Sequence, residues 1–371
     1  CSDFARDHIR CIPGLGDQVS FPGDLWKQMG GSNLLNPALF HGPDLAAHSC
    51  LAITRAGRAL VTGGGNLGMA LSWMVHHLVA RTLVWPGKND GEQETLELLG
   101  KAMASGAATV CFAVSEPKVG AHPKHMAAAA KKSTTGFVLN GEKTYLTNGP
   151  IASAFIVVAV TGVKQDRKQF SAFLVPKETQ GLRVLPPMEI GFFLPSPHGS
   201  ICLKDCQVPD TALVGTPGHA HEMVLAFRKT DDAAMTGPVA GAMAFLLDSL
   251  AQAMGHQEIP GGGIKQLGGL VALLETADLL SWNAASAVDN PTIYPHFTHS
   301  GAILLQFKAL VSAYVVQVES LVEEMNLILP DPFGIVVRDL KSSARIGQNI
   351  SEIQQTKLGL ALLEKNKNIN S

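Results

Sequence analysis

Apolar residues at Leu67, Leu71, Met74, Val75, Leu78 and Val79 recur at spacings of three and four, the period of a helix with one buried face. The stretch from Glu92 to Ser105 repeats the pattern after an Asn-Asp-Gly run that breaks the chain. Residues 24–104 therefore read as helical, inside an N-terminal helical domain set at 1–107. At Thr109 the period changes. The runs TVCFAVS, GFVLNGEKTYLTNG, AFIVVAVTG, QFSAFLVP, GLRVL and GSICLKDCQVP are short, β-rich and separated by Gly, Pro and Asn. Asn140-Gly141, between apolar runs, predicts a hairpin turn. No helical pattern alternates with these runs, so a parallel α/β sheet is excluded and an antiparallel barrel or sandwich is predicted over 108–216. Helical periodicity returns after Glu222, with Leu304, Phe307, Val311, Tyr314, Val318, Leu321 and Met325 as its clearest seam. That stripe, and similar faces in 238–254 and 267–282, read as core packing in a four-helix-bundle-like domain over 217–371. The chain is thus an α+β multidomain protein in the order helical, β, helical.

Hydrophobic residues make up 46% of the 371 positions and charged residues only 16%, against about 25% for an average soluble chain. A disordered scaffold is excluded. So little charge predicts that another chain covers part of the surface: a homodimer or homotetramer packed through the C-terminal bundle, with a heteromer as the alternative. Lys plus Arg (29) nearly cancel Asp plus Glu (31), so no global field recruits nucleic acid. The apolar stretches 66–80 and 151–160 fall short of the about 18 apolar residues of a membrane span. CSDFARDHIR lacks a signal-peptide core, and six cysteines without a CxxC pair read as reduced core thiols. A cytoplasmic protein is expected.

Gly63-Gly64-Gly65-Asn66-Leu67-Gly68 satisfies GxGxxG, with Asp90 downstream, but no second parallel strand follows its helix. It reads as a glycine-rich bend between helices. The pairs His76/His77 and His219/His221 lack metal-ligand spacing, so no metal is expected. GxSxG, P-loop and HExxH motifs are absent from the sequence.

The informative segments are CFAVSEPKVGAHP and LNGEKTYLTNG. The first is a strand ending in Ser115 and Glu116 before a turn, and the second is a strand presenting Tyr145 and Thr147. Hydroxyls at strand ends beside an aromatic ring suit a planar polar ligand, and equally an ordinary hydroxyl-capped loop. Residue chemistry alone leaves both open.

These segments resemble the acyl-CoA dehydrogenase family. Phe112 to His122 is similar to that family's F/Y-x-V-T-E-P-x-x-G-S-D strand, and Lys143 to Gly149 to its K-x-W-I-T-N-G. The similarity runs on through Ala226 to Thr230, the small-residue helix from Gly237 to Leu247, and Arg338 to Lys341. It implies an FAD site. Phe112, Val114, Ser115, Gly120, Ala121, Tyr145, Leu146 and Thr147 would contact the cofactor, with Val114 and Ser115 at the flavin pyrimidine edge and Thr147 on the N5 side. Ala121 stands where a serine usually bonds a flavin phosphate and the acyl-CoA, and His122 replaces an aspartate. Each lost neutral hydrogen bond costs about 0.5–1.5 kcal/mol, which flavin binding survives.

Other departures are larger. The family's glutamate base, nine residues after the arginine of the RD pair, corresponds to Gly347, and the alternative base position is Thr230. The arginine that usually follows there corresponds to Asp231. Asp231 is the remaining candidate base, and with Ala121 and Arg228 a candidate substrate contact. The R-x-x-F-G and Q-x-x-GG-x-G segments that hold the FAD pyrophosphate and adenosine are missing, with only Gln266 matching. A lost charged hydrogen bond of about 1.5–3 kcal/mol weakens FAD roughly ten- to a hundredfold, so FAD is expected to bind weakly or not at all. The resemblance therefore implies an FAD-dependent acyl-CoA dehydrogenase, with electron-transfer flavoprotein or a similar acceptor. The alternative is a non-catalytic subunit of the same fold acting as a structural or regulatory partner.

Overall fold

The computed structural model describes residues 1–36, 49–81, 93–255, 259–291, 297–346, 352–353, 355–360 and 362–363. The chain forms two compact units, Cys1–Asp17 with Ser49–Ala70 and Asp232–Ser371, and Gln18–His48 with Leu71–Asp231.

The first unit is helical. Short α1 (Ser2–Phe4) precedes, in the second unit, α2 (Gly23–Gly31); the helices that follow in the first unit begin with α3 (Cys50–Gly64). The glycine run ends α3, with Gly65 in the left-handed C-cap conformation (φ 62°) before α4 (Leu67–Val79), the two-helix bend expected from its sequence. In the second unit, α5 (Gln93–Ala104) leads to the strands and α6 (Ala220–Ala234) follows them as far as Asp231; α7 (Thr236–Met254), α8 (Gly261–Asp289), α9 (Phe297–Glu324) and α10 (Phe333–Arg345) belong to the first unit. Helix α3 lies against α7 and α8. A Cβ on Gly237 or Gly241 would come within 2.0 Å of the Thr54 carbonyl or 2.3 Å of the Arg58 carbonyl. The small residues of α7 therefore serve close helix approach. Arg58 forks onto Asp278 through two 2.6 Å bonds, and Asp289 accepts from the first backbone N–H groups of α3. Phe307, Val311, Tyr314, Val318 and Leu321 are buried along the predicted α9 seam. Two stretches, Ala220–Met254 and Gly301–Glu324, have the length and hydropathy of a bilayer-crossing helix. The first is 78% buried in protein, as a core helix is, and the second only 28%.

The second unit is built on an eight-stranded sheet: β1 (Val110–Ala113), β2 (Ala129–Ser133), β3 (Gly136–Thr147), β4 (Ala154–Lys164), β5 (Arg167–Pro176), β6 (Leu182–Val184), β7 (His198–Val208) and β8 (Leu213–Val214). Its order is β6-β7-β3-β2-β4-β5-β8, with β1 joined to β4. Leu139, Leu146, Phe155, Val157, Phe173, Ile201, Leu203 and Cys206 fill its core.

Two expectations need correction. The sheet is mixed, because β1 pairs parallel with β4, as β2 does at Ala129↔Val160. Parallel neighbours need a long crossover, and here β2 and β3 lie within the connection from β1 to β4. Asn140-Gly141 is no hairpin turn. It lies inside β3 at a bulge, where Gly141 (φ 142°) lets Ala128 approach and Asn140 bonds Asp205. The tight turn sits instead at Thr134-Thr135, closing β2 onto β3 with Ser133 opposite Gly136. The cysteines are all free thiols, but only Cys50, Cys111 and Cys206 are buried; Cys1 and Cys11 are exposed.

Candidate functional site

The two segments singled out above fold as one piece. Past β1 the chain doubles back, with Glu116 and Gly120 exchanging backbone hydrogen bonds at 3.0 and 2.9 Å. The Glu116 carboxylate points inward and accepts from the backbone N–H groups of Ala127 (2.7 Å) and Ala128 (3.0 Å) and from the Lys143 ammonium (2.9 Å). Lys143 Nζ also donates to the Val114 carbonyl at 2.9 Å and is 0% exposed. Burial pulls its pKa below the ordinary lysine value, against the opposing pull of Glu116. Thr144 N–H closes the junction onto the Ser115 carbonyl at 2.8 Å. The half-buried Ser115 hydroxyl has no hydrogen-bond partner among the described residues.

Just beyond Lys143 the β3–β7 ladder breaks, and register resumes at Leu146↔Gly199. Tyr145 spans the break with φ 57°, an unfavourable conformation for a bulky residue, and the residue is 63% exposed. Thr144 bonds Ser200 across the strands at 2.9 Å. Leu146 turns into the sheet core, so the neighbouring Thr147 side chain lies on the opposite, outer face. There Thr147 sits opposite His198, with its hydroxyl 3.2 Å from His198 Nε2. His198 Nδ1 lies 3.1 Å from the Ser196 carbonyl, and burial holds the imidazole below its usual pKa. Behind it, Ser72 Oγ donates to Ser196 Oγ (2.9 Å), and Asn148 Nδ2 donates to the Ser72 carbonyl (3.0 Å).

The structure thus brings Val114, Ser115, Gly120, Tyr145, Leu146 and Thr147 to one junction. Leu146 can offer a ligand only its backbone, and the Val114 carbonyl is already engaged by Lys143. Phe112 packs on Phe227 of α6, ring centroids 4.8 Å apart, so α6 lies beside the end of β1. On that helix Arg228 is exposed and Asp231 half-buried. Thr230 is buried, and its hydroxyl donates back to the Ala226 carbonyl at 2.9 Å. Ala121 and His122 are exposed in the turn. Gly347 and Asp90 lie outside the described residues. Gln266 belongs to the helical unit, where its amide donates to Glu324 at 2.7 Å. No group of three or more His, Cys, Asp or Glu could hold a metal ion among the described residues. His76 and His77 are core residues whose Nε2 atoms meet the carbonyls of Leu35 and Leu34.

Reading the sequence missed Lys143, His198, Ser196 and Ser72. Lys143 stood inside a recognised motif, so the rarity of a buried lysine was the only further signal. His198 sits in Ser-Pro-His-Gly, which carries no pattern of its own. Chemically, the junction offers the hydroxyls of Ser115 and Thr147, a projecting aromatic ring and a neutral imidazole. That set can hold a flat heteroaromatic ring.

Residues 111–206 match the model of the acyl-CoA dehydrogenase middle domain. The human mitochondrial short-chain specific acyl-CoA dehydrogenase is 27% identical over 367 residues, covering 96% of this chain and 86% of that protein. Among solved structures, a glutaryl-CoA dehydrogenase from Mycobacterium smegmatis in complex with FADH2 superposes with TM-score 0.78 at 19% identity, over 97% of this chain and 93% of the other. The prolyl acyl carrier protein oxidase AnaB superposes with TM-score 0.79 at 18% identity, over 97% and 95%.

Proposed function

We propose that this chain, a divergent member of the acyl-CoA dehydrogenase family, binds FAD on the outer face of β3 and β7 and dehydrogenates an acyl-CoA thioester between Cα and Cβ. The observation that carries this reading is the locked junction of the two segments, which leaves the Ser115 hydroxyl without a partner among the described residues and Tyr145 projecting. The residues fit the flavin ring: as the resemblance implies, Ser115 would hold its polar edge and Thr147 its N5 side, and Tyr145 would flank it. They fit the far end poorly, since Ala121 has no hydroxyl and the R-x-x-F-G and Q-x-x-GG-x-G segments are missing from the sequence. Weak FAD binding follows. When bound, FAD supplies a hydride acceptor for the substrate Cβ. The protein must take the α-proton, and Asp231, half-buried on α6, is the carboxylate nearest a family base position. Electrons would leave to electron-transfer flavoprotein or a similar acceptor.

A second reading, a non-catalytic subunit of the same fold, is favoured by one observation: the Thr230 hydroxyl is spent on its own helix. An absorption spectrum before and after adding FAD, and an acyl-CoA panel assayed with an artificial electron acceptor, separate the two. We expect flavin bands to stay with the protein after added FAD that is unbound has been removed, and slow turnover that falls at least tenfold in Asp231→Asn. Turnover unchanged by that substitution removes Asp231 from the mechanism. A flavin-free protein with no turnover on any substrate leaves the non-catalytic reading standing.

A homo-oligomer is proposed as well. Ile264, Val271 and Leu279 on α8 are 58%, 43% and 58% exposed, and Val316 on α9 is 66% exposed. Together with the largely unburied apolar stretch Gly301–Glu324 they form faces that a second copy would cover. Light scattering should give at least a dimer at micromolar concentration, and a monomer there would remove this assignment. Six free thiols fit a reducing compartment, cytoplasmic in this reading.

A further inference from the structure

His198 belongs to no sequence motif, yet it meets the Thr147 hydroxyl at the end of β3. Its two ring nitrogens have different partners. Nδ1 lies 3.1 Å from the Ser196 carbonyl, which can only accept, so Nδ1 must carry the proton. The reverse tautomer would set two lone pairs against each other there. In the neutral ring Nε2 is then a bare acceptor, and the Thr147 hydroxyl 3.2 Å away must donate to it. The arrangement is held from behind. The Ser196 side chain accepts from Ser72, and the Thr147 carbonyl accepts from the Cys111 thiol at 3.3 Å.

We propose that His198 is a positioning residue that fixes the Thr147 hydroxyl with its proton turned inward, so that only lone pairs face the site. A ligand edge meeting Thr147 is then favoured when it carries N–H and disfavoured when it carries a bare nitrogen. The proposal rests on the flavin reading above, in which Thr147 meets the N5 side of the ring. Oxidised flavin presents a bare N5, and two-electron reduced flavin presents N5–H. The site therefore discriminates in favour of the reduced cofactor, which makes bound FAD a stronger electron acceptor than it would be beside a freely rotating hydroxyl.

The test has two arms. In the protein labelled with 15N-histidine, the His198 resonances, identified by their loss in His198→Phe, should show the Nδ1–H tautomer at neutral pH. Observation of Nε2–H, or of the doubly protonated ring, overturns the proposal whether or not FAD binds. In the second arm, affinities for oxidised FAD and for dithionite-reduced FAD are measured anaerobically. His198→Phe should lower the preference for the reduced form by about tenfold, the scale of one hydrogen bond, which is about 30 mV in a two-electron couple. His198→Gln, whose side-chain carbonyl can still accept from Thr147, should recover most of it. Thr147→Val should match His198→Phe, and the double variant should add nothing further. An unchanged ratio in His198→Phe overturns the role of His198 and leaves the FAD reading intact. If neither form of FAD binds, the flavin reading falls and the preference for an N–H edge falls with it.

Discussion

Lys143→Met should destabilise the β unit by about 3–5 kcal/mol, the usual cost of removing one partner from a buried ion pair. The ammonium is fully enclosed and donates to both the Glu116 carboxylate and the Val114 carbonyl. Methionine replaces its aliphatic stem, one atom shorter, and leaves both acceptors facing an apolar chain. Relief by also removing Glu116 should be incomplete. That carboxylate terminates the N–H groups of Ala127 and Ala128, and each orphaned backbone donor costs about 1–3 kcal/mol. The double variant Lys143→Met/Glu116→Leu is therefore expected to stay less stable than the native protein. Urea unfolding followed by tryptophan fluorescence and circular dichroism checks both statements. A loss below about 1 kcal/mol in Lys143→Met would mean that water reaches the pair and that the junction is not held as described. FAD affinity should fall in parallel, because the same ammonium fixes the backbone from which Ser115 presents its hydroxyl.

Much of this arrangement is legible in the residue pattern alone. The change from a period of three and four to short β-rich runs at Thr109 marks the sheet, because burial on one face of a helix and on a strand leave different repeats. The glycine bend at Gly65 was readable for the same reason: only two helices flank it. Pairing was not legible. The parallel contact of β1 with β4 joins segments separated by the whole of β2 and β3, and no local residue records it. Asn140-Gly141 misled because its conformational freedom serves equally for a turn and for a bulge, and the approach of Ala128 decides between them. Ser115, Tyr145 and Thr147 are candidates that the two segments and their resemblance single out, while His198 depends on the cross-strand register of β3 and β7. A histidine becomes informative only once its two ring partners are known.

Gly347→Glu should raise acyl-CoA turnover by about 10²–10⁴-fold over the native chain, the range a well-placed general base contributes. The replacement proposed above, Asp231, is badly placed for a fast reaction. Asp231 lies one residue beyond Thr230, and one step along a helix turns a side chain by about 100°. Aspartate is also one methylene shorter than the glutamate whose place it would take. Thr230 cannot serve, because its hydroxyl donates to the Ala226 carbonyl and has no basicity at neutral pH. Thr230→Glu gives an independent trial of the second base position. There the new carboxylate would enter a site only 5% exposed, where desolvation raises its pKa toward that of a working base while lowering stability. Both variants are assayed with saturating FAD, an artificial acceptor and straight- and branched-chain acyl-CoA thioesters. A gain in either one means that the chain keeps a competent flavin and substrate site and lacks only the proton acceptor. Rates within twofold of the native protein in both, at full flavin occupancy, would mean that the thioester is not held with its α-carbon near either position. The non-catalytic reading would then be the one that survives.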